Sequence, residues 1–263
     1  MTVTEALALL VAGAAAGFIS TVVGLASLVS YPALLAIGLP PLTANMTNTV
    51  ALLFTGVGAA AGSRPELAGQ GSRIRRLWPV AALGGAAGAA LLLITPGQAF
   101  QRLAPILIGA ASLTLLIPAG RQPGGMAAGG EPRGAAPAGF SRPGRGGWLV
   151  AGVFGVSIYV GYFGAAAGIV MLAVLMATLA EPLARANALR NVIGALANLV
   201  AAIGFAVFGQ VDWAAVLPLA AGFLVGGWTG PALVRRLPGR LLRVAVALLG
   251  LAVAVRLALT AYH

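Results

Sequence analysis

Long apolar blocks occupy most of the chain and constrain its fold more than any other feature. They recur from Val3 to Tyr262 between short polar or Pro/Gly breaks, and most approach the roughly 20 residues with which a helix crosses the hydrocarbon of a bilayer. They do not alternate polar and apolar residues, as membrane-spanning strands would. Hydrophobic residues make up 60% of the chain, more than a soluble core can bury. The sequence therefore predicts an all-α, polytopic transmembrane helical bundle.

A stretch without apolar periodicity divides the chain into two halves. Residues 120–147 are rich in Gly, Pro, Ala and Arg, a composition typical of a flexible linker. The predicted repeats flank this linker at 1–119 and 148–263, and each consists of one long block followed by three spans. The long blocks are 3–37 and 148–180, and the spans are 42–62, 77–95 and 100–118 in the first half and 183–208, 213–234 and 241–261 in the second.

The two long blocks exceed the length of one span, and each is interrupted near its middle by glycine and small residues. The interruptions read GFISTVVG at 17–24 and GYFGAAAG at 161–168. A helix broken at membrane depth is tolerated only where protein or a polar cavity satisfies the freed backbone groups. We interpret each long block as a hairpin of two shorter helices.

The arginines test this interpretation. The chain contains 16 basic residues, all arginine, against five acidic residues. Three clusters stand out, at 64–76, in the linker and at 235–243, and they share one side of the membrane only if each long block returns to the side from which it entered. The halves are then inverted repeats, with a cytoplasmic linker and both termini external. We therefore attribute the formal charge of +11 to membrane topology and expect no nucleic acid partner.

The residue inventory excludes several kinds of chemistry. There is no cysteine, and the single histidine is His263, so thiol chemistry and a His/Cys metal cage are excluded. No paired carboxylates lie inside the apolar spans. We expect no metal, no cofactor, no catalytic residues and no enzymatic activity.

Broken helices in inverted repeats are typical of secondary transporters, whose substrate lies near the midplane where the half-helices end. Helix N-termini carry partial positive charge, so two such ends facing one another favour an anion. The predicted substrate-binding residues lie at these breaks and on the span that follows each: Gly24, Ser27, Asn45, Asn48, Tyr162, Gly164, Gly168, Arg190, Asn191 and Asn198.

Other roles for these residues stay open. The glycines could serve helix packing, since G-x-x-x-G spacing also occurs at Gly13/Gly17, Gly84/Gly88 and Gly222/Gly226. The amides could cap or bridge helices, and Arg190 could extend to lipid headgroups.

Several motifs resemble a known family. The segments GYFGAAAGIVMLAVL (161–175) and ARANALRNVIGALANLVAAIGFAVFGQVDW (184–213) resemble the second half of TauE/SafE-type sulfite exporters, and GFISTVVGLASLVSYPALLAIGLPPLTANMTNTVA (17–51) is similar to the opening repeat. The chain departs from the family's glycine-rich first hairpin, where it reads Gly24-Leu25-Ala26-Ser27.

The resemblance implies a multi-pass permease of the bacterial inner membrane for small sulfur-containing anions such as sulfite, sulfoacetate or other organosulfonates, working by alternating access. A passive anion channel, a transporter of a non-sulfur anion and a non-transporting membrane scaffold are the alternatives. The expected partners are a small anionic substrate and the lipid bilayer, with a homodimer as the candidate assembly.

Overall fold

The computed structural model describes residues 1–62, 64–116, 145–179 and 181–234, with isolated positions between 248 and 259. All regular structure within these ranges is α-helical. The helices are α1 (Val3–Val23), α2 (Ser27–Ala36), α3 (Pro41–Gly62), α4 (Arg64–Leu67), α5 (Gly71–Ile94), α6 (Gly97–Leu116), α7 (Arg145–Tyr162), α8 (Ala167–Thr178), α9 (Leu183–Phe208) and α10 (Trp213–Val234). Most of the predicted linker and the predicted span at 241–261 lie outside the described residues.

The first interruption lies between α1 and α2. Helix α1 begins with a capping box, in which the Glu5 N–H donates to the Thr2 hydroxyl and the Thr2 N–H donates to the Glu5 carboxylate. It ends at Gly24, whose φ of 80° lies in the left-handed region and whose N–H donates to the Ser20 carbonyl. A glycine adopts this conformation without steric cost, so the chain can leave the helix here.

The second interruption lies between α7 and α8 and has a different backbone. Gly164 has a φ of 72°, and Ala166, which directly precedes α8, has a φ of 59°. The left-handed conformation of a non-glycine residue costs about 1–2 kcal/mol. Ala166 is therefore a strained residue at the beginning of a helix.

Glycines allow the long helices to pack closely. Gly13 and Gly17 of α1 face Gly222 and Gly226 of α10, and a methyl group at Gly17 would lie 2.7 Å from the Phe223 carbonyl oxygen. Helices α5 and α7 pack in the same way. Close backbone approach through small residues is a common basis of helix association in membranes. The packing role that the sequence left open for glycines at G-x-x-x-G spacing is seen at these two contacts.

The most extensive helix contacts join the first half of the chain to the second. Helix α1 packs on α10 and α7 packs on α5, while α10 also packs on α3 and α5 also packs on α9. Helices α3 and α9 pack against one another. When α1 is matched with α7 and α3 with α9, the contacts of α1 and α3 with α10 correspond to those of α7 and α9 with α5.

Length and composition identify membrane-crossing helices. Among the described residues, three stretches are long and apolar enough to span a bilayer: Val3–Thr21, Gly71–Ile94 and Arg185–Phe208. Large apolar side chains such as Leu83, Ile94 and Leu217 are mostly exposed on the outside of the bundle. A surface of this kind is stable in lipid and not in water. The predicted fold class is confirmed as a helical membrane protein.

The helices differ from the sequence prediction in several places. Helix α5 begins at Gly71, six residues before the predicted span at 77–95, and so includes three arginines. The short helix α4 was not predicted, and residues 145–147 of the predicted linker begin α7. The apolar run marks only the part of a helix inside the hydrocarbon, whereas the helix itself continues into the interface, where arginine side chains reach water.

Candidate anion-binding site between the broken helices

A cavity of about 100 Å³, with several polar side chains in its wall, lies where α2 and α8 begin. One water molecule needs about 10–15 Å³ by this measure, so a small polyatomic ion has room. The cavity walls come from both helix interruptions and from one face each of α3 and α9. The lining residues that carry polar groups or lie at the interruptions are Ser20, Thr21, Gly24, Ala26, Ser27, Thr49, Thr55, Gly164, Gly168, Arg190, Asn191 and Asn198.

The two interruptions touch one another at this cavity. A methyl group at Gly168 would lie 2.9 Å from both the Cα and the carbonyl oxygen of Gly24. Only the absence of side chains at these two glycines permits that approach. The end of α1 and the first turn of α8 are therefore in contact, and α2 and α8 both begin beside the cavity with the partial positive charge of a helix N-terminus.

Arg190 supplies a full positive charge to the same place. Its side chain rises from α9 and is only 3% exposed. The guanidinium donates through Nη2 to the Ser20 carbonyl at 3.3 Å and to the Asn191 side-chain oxygen at 2.8 Å, while its Nη1 lies against Gly24.

No carboxylate among the described residues pairs with this charge. The structure describes four carboxylates, those of Glu5, Glu66, Glu181 and Asp212, and none forms an ion pair with Arg190. A buried cation without a counter-ion is costly. The cavity is therefore electrostatically suited to an anion.

Asn48 lies behind the cavity wall and holds the first interruption in place. Its amide nitrogen donates to the Ser27 hydroxyl at 3.2 Å, and its oxygen accepts from the Ser30 hydroxyl at 2.6 Å. All three residues are buried. Asn48 thus fixes the position of Ser27, which does line the cavity.

Asn45 connects the first half to the second interruption. Its amide nitrogen donates to the Tyr162 carbonyl at 2.9 Å, where α7 ends. The Tyr162 ring packs edge-on against Phe100, with 6.1 Å between the ring centroids.

Seven of the ten predicted binding residues therefore line the cavity, and three lie behind it: Asn45, Asn48 and Tyr162. The cavity is lined by the neighbouring face of α3, which carries Thr49 and Thr55.

Sequence reasoning missed Thr55. Its side chain lines the cavity and is 5% exposed, yet its hydroxyl has no hydrogen-bond partner. By contrast, Thr21 and Thr49 donate to helix carbonyls at 2.8 and 3.0 Å. Buried hydroxyls are usually satisfied, so an unpartnered one beside a cavity indicates a contact that forms with a ligand. The available signal was a hydroxyl inside an apolar span, since polar side chains at membrane depth are costly and often functional.

A charged cluster joins the two halves near the start of α9. Glu181 accepts hydrogen bonds from Arg73 of α5 and Arg185 of α9. The hydrogen bond from Arg73 lowers the pKa of Glu181 below its ordinary value of 4.5, against the opposing effect of partial burial. Gln70 adds a bond from its amide nitrogen to the Arg185 carbonyl at 3.1 Å. The cluster ties a helix of the first half to the second half.

A membrane-embedded bundle with two interrupted helices, whose broken ends meet at a cavity beside a buried cation, has the construction of a secondary transporter. The chain belongs to the sulfite exporter TauE/SafE family, whose sequence model matches residues 9–257. Comparison with curated proteins and with solved structures gives no match. The resemblance seen in the motifs is confirmed, and the family is one of membrane transporters.

Proposed function

We propose that this protein transports small sulfur-containing anions, such as sulfite, sulfoacetate or other organosulfonates, across a bacterial inner membrane. The observation that best supports an anionic substrate is Arg190, whose buried guanidinium lies at the cavity and forms no ion pair with a described carboxylate. Membership of the sulfite exporter family supports the sulfur-containing class.

The anion binds between the two interruptions. Arg190 provides its charge, while the Thr55 hydroxyl and the Asn198 amide provide directed hydrogen bonds from α3 and α9. The beginnings of α2 and α8 add the partial positive charge of helix N-termini, which favours an anion. Asn191 orients the guanidinium, because its side-chain oxygen accepts from both Nε and Nη2.

Alternating access follows from inverted repeats. The matching helix contacts of the two halves support a pseudo-twofold relation between them. The distribution of arginines supports opposite orientations of the two halves in the membrane. In such transporters, one half moves against the other around a fixed site. A reporter fused after Tyr262 is expected to read external, and a cytoplasmic reading would contradict the inverted scheme.

The test is uptake into proteoliposomes of labelled sulfite, thiosulfate and sulfoacetate beside nitrate and phosphate. We expect saturable uptake of at least one sulfur-containing anion and its loss in Arg190→Gln. Arg75→Gln, an exposed arginine remote from the cavity, is the matched control and should retain uptake. Uptake that rises linearly with concentration would favour the passive channel, and the absence of flux for every anion would refute the proposal.

A further inference from the structure

A groove on the outside of the bundle runs between the beginnings of α5 and α7. The two helices pack tightly near Gly84, where a methyl group would lie 2.7 Å from the Phe154 carbonyl oxygen, and they diverge toward their N-terminal ends. The space between them is about 540 Å³. It shares no lining residue with the anion cavity and is lined by Arg76, Val80, Leu83, Gly146, Gly147, Val150, Ala151 and Phe154.

The groove covers about two thirds of the depth of one leaflet. Arg76, Val80 and Leu83 follow one another at helical spacing on α5, and the distance from first to last is about 10 Å along the helix axis. One leaflet contributes about 15 Å of hydrocarbon, half of the total thickness. Below Arg76, every lining side chain is apolar. A single acyl chain fits this shape and chemistry.

The head of the groove is positively charged and open. The Arg76 guanidinium reaches across to α7, where a methyl group at Gly146 would lie 3.9 Å from Nη2. A methyl group at Gly147 would meet no atom within 4 Å. Arg76 takes part in neither ion pair found in the described part of the chain. A phosphate group can therefore approach the guanidinium directly.

Two tryptophans place this head at the membrane interface. Trp78 and Trp148 flank it on α5 and α7, and their side chains are 49% and 77% exposed. Tryptophan is enriched at the level of the lipid headgroups. The charged end of the groove thus lies where a phospholipid carries its phosphate.

We propose that this groove binds one anionic phospholipid, with the phosphodiester against Arg76 and an acyl chain over Val80, Leu83 and Val150. A basic pocket between transmembrane helices attracts anionic headgroups. A zwitterionic lipid fills the same apolar floor but lacks the net charge that favours the arginine.

Fluorescence quenching by brominated lipids tests the proposal without any transport assay. The protein carries Trp213→Phe and Trp228→Phe, so that emission comes from Trp78 and Trp148, and it is reconstituted with equal small fractions of brominated phosphatidylglycerol or phosphatidylcholine. One arginine near the surface corresponds to about fivefold enrichment of an anionic lipid. We expect stronger quenching by the anionic lipid, loss of this difference in Arg76→Gln, and its retention in Arg75→Gln.

A second pair of variants separates the groove from the charge. Gly147→Leu fills the groove, whereas Gly155→Leu places the same side chain on α7 outside it, and both positions have open space at Cβ. Quenching by the anionic lipid should fall in the first variant and persist in the second. Equal quenching by both lipids in the starting protein, or equal effects of Arg76→Gln and Arg75→Gln, would overturn the proposal.

Discussion

The interruption between α1 and α2 and the one between α7 and α8 are held by different means. The first is fixed by side chains, because Asn48 hydrogen-bonds with both Ser27 and Ser30. The second has the strained backbone of Ala166, and the Tyr159 hydroxyl donates to the Ala165 carbonyl at 2.7 Å. The first interruption is therefore held by a buried polar network within its own half, whereas the second combines a left-handed alanine with hydrogen bonds from the Tyr159 hydroxyl and, across the halves, from the Asn45 amide.

The equivalent positions on α3 and α9 differ in the same sense. The sequence Ala44-Asn45-Met46-Thr47-Asn48 matches Ala186-Asn187-Ala188-Leu189-Arg190 in its first two residues and places Asn48 where the second half has Arg190. The amide of Asn48 is used within its own half, whereas Arg190 reaches Ser20 in the other half. The first half therefore contributes buried hydrogen bonds that hold the cavity wall, and the second half contributes the positive charge of Arg190.

Removing the polar network should have the largest effect on stability. In Asn48→Ala, two buried hydroxyls lose a partner, and we expect destabilisation of about 1–3 kcal/mol. Thermal unfolding of the purified protein measures it. Asn198→Ala is the comparison, because this amide makes no hydrogen bond within the described residues and should lower the melting temperature much less. Equal losses would remove the distinction between the two halves.

Removal of the Thr55 hydroxyl should weaken the affinity for the anion and leave the stability of the protein unchanged. Thr55→Val keeps the shape of the side chain and deletes one hydrogen bond to the anion, which corresponds to a roughly three- to tenfold weaker apparent affinity for sulfite. Thr55→Ser should retain the affinity. Ser157→Ala is the control, since Ser157 is also buried and unpartnered but lies outside the cavity. Identical uptake curves for Thr55→Val and Thr55→Ser would show that the hydroxyl does not bind the anion.

The strained backbone predicts opposite signs at the two interruptions. Ala166→Gly relieves a left-handed alanine and should stabilise the protein by about 1 kcal/mol. Ala26→Gly, at the equivalent place before α2, replaces a right-handed residue with φ of −49° and should destabilise it by about 0.5–1 kcal/mol. The melting temperature should rise in Ala166→Gly and fall in Ala26→Gly. The same sign for both would mean that Ala166 carries no strain.

Loss of the Glu181 carboxylate, which joins the two halves, should have the smallest effect on stability, and that effect should depend on pH. Its folded pKa is lowered, so the stabilisation is present above the ordinary glutamate value and is lost as pH falls through the folded pKa. Because Arg73 and Arg185 are partly exposed, Glu181→Gln should cost only about 0.5–1 kcal/mol at neutral pH. The melting temperatures of variant and parent should converge in acid. A constant difference at all pH values would contradict this assignment.

The sequence predicted the fold class and family because both depend on features that a single chain displays. Apolar length indicates membrane helices, and glycines at 24 and 164 coincide with left-handed backbone at the interruptions. The order of the motifs was sufficient to indicate the family, which the match to residues 9–257 confirms.

The details of the site could not be read in the same way. Which face of α3 meets the cavity depends on its packing against α2 and α10. The sequence therefore did not identify Thr55, and it predicted that Asn48 binds the substrate, whereas Asn48 lies behind the cavity wall. Ala166 gives no local signal, because alanine ordinarily avoids left-handed backbone and is held there by the surrounding structure.

Arg190 is the residue on which anion binding between the two interruptions depends most. The most direct measurement is calorimetric titration of sulfite into the purified protein and into Arg190→Gln, with the melting temperature of each recorded beside it. We expect saturable binding of one sulfite per chain, at least about tenfold weaker in the variant, which corresponds to losing one charge-assisted hydrogen bond. The melting temperature should hold or rise, since a buried cation without a counter-ion has been removed. Unchanged affinity in a folded Arg190→Gln protein would contradict the account.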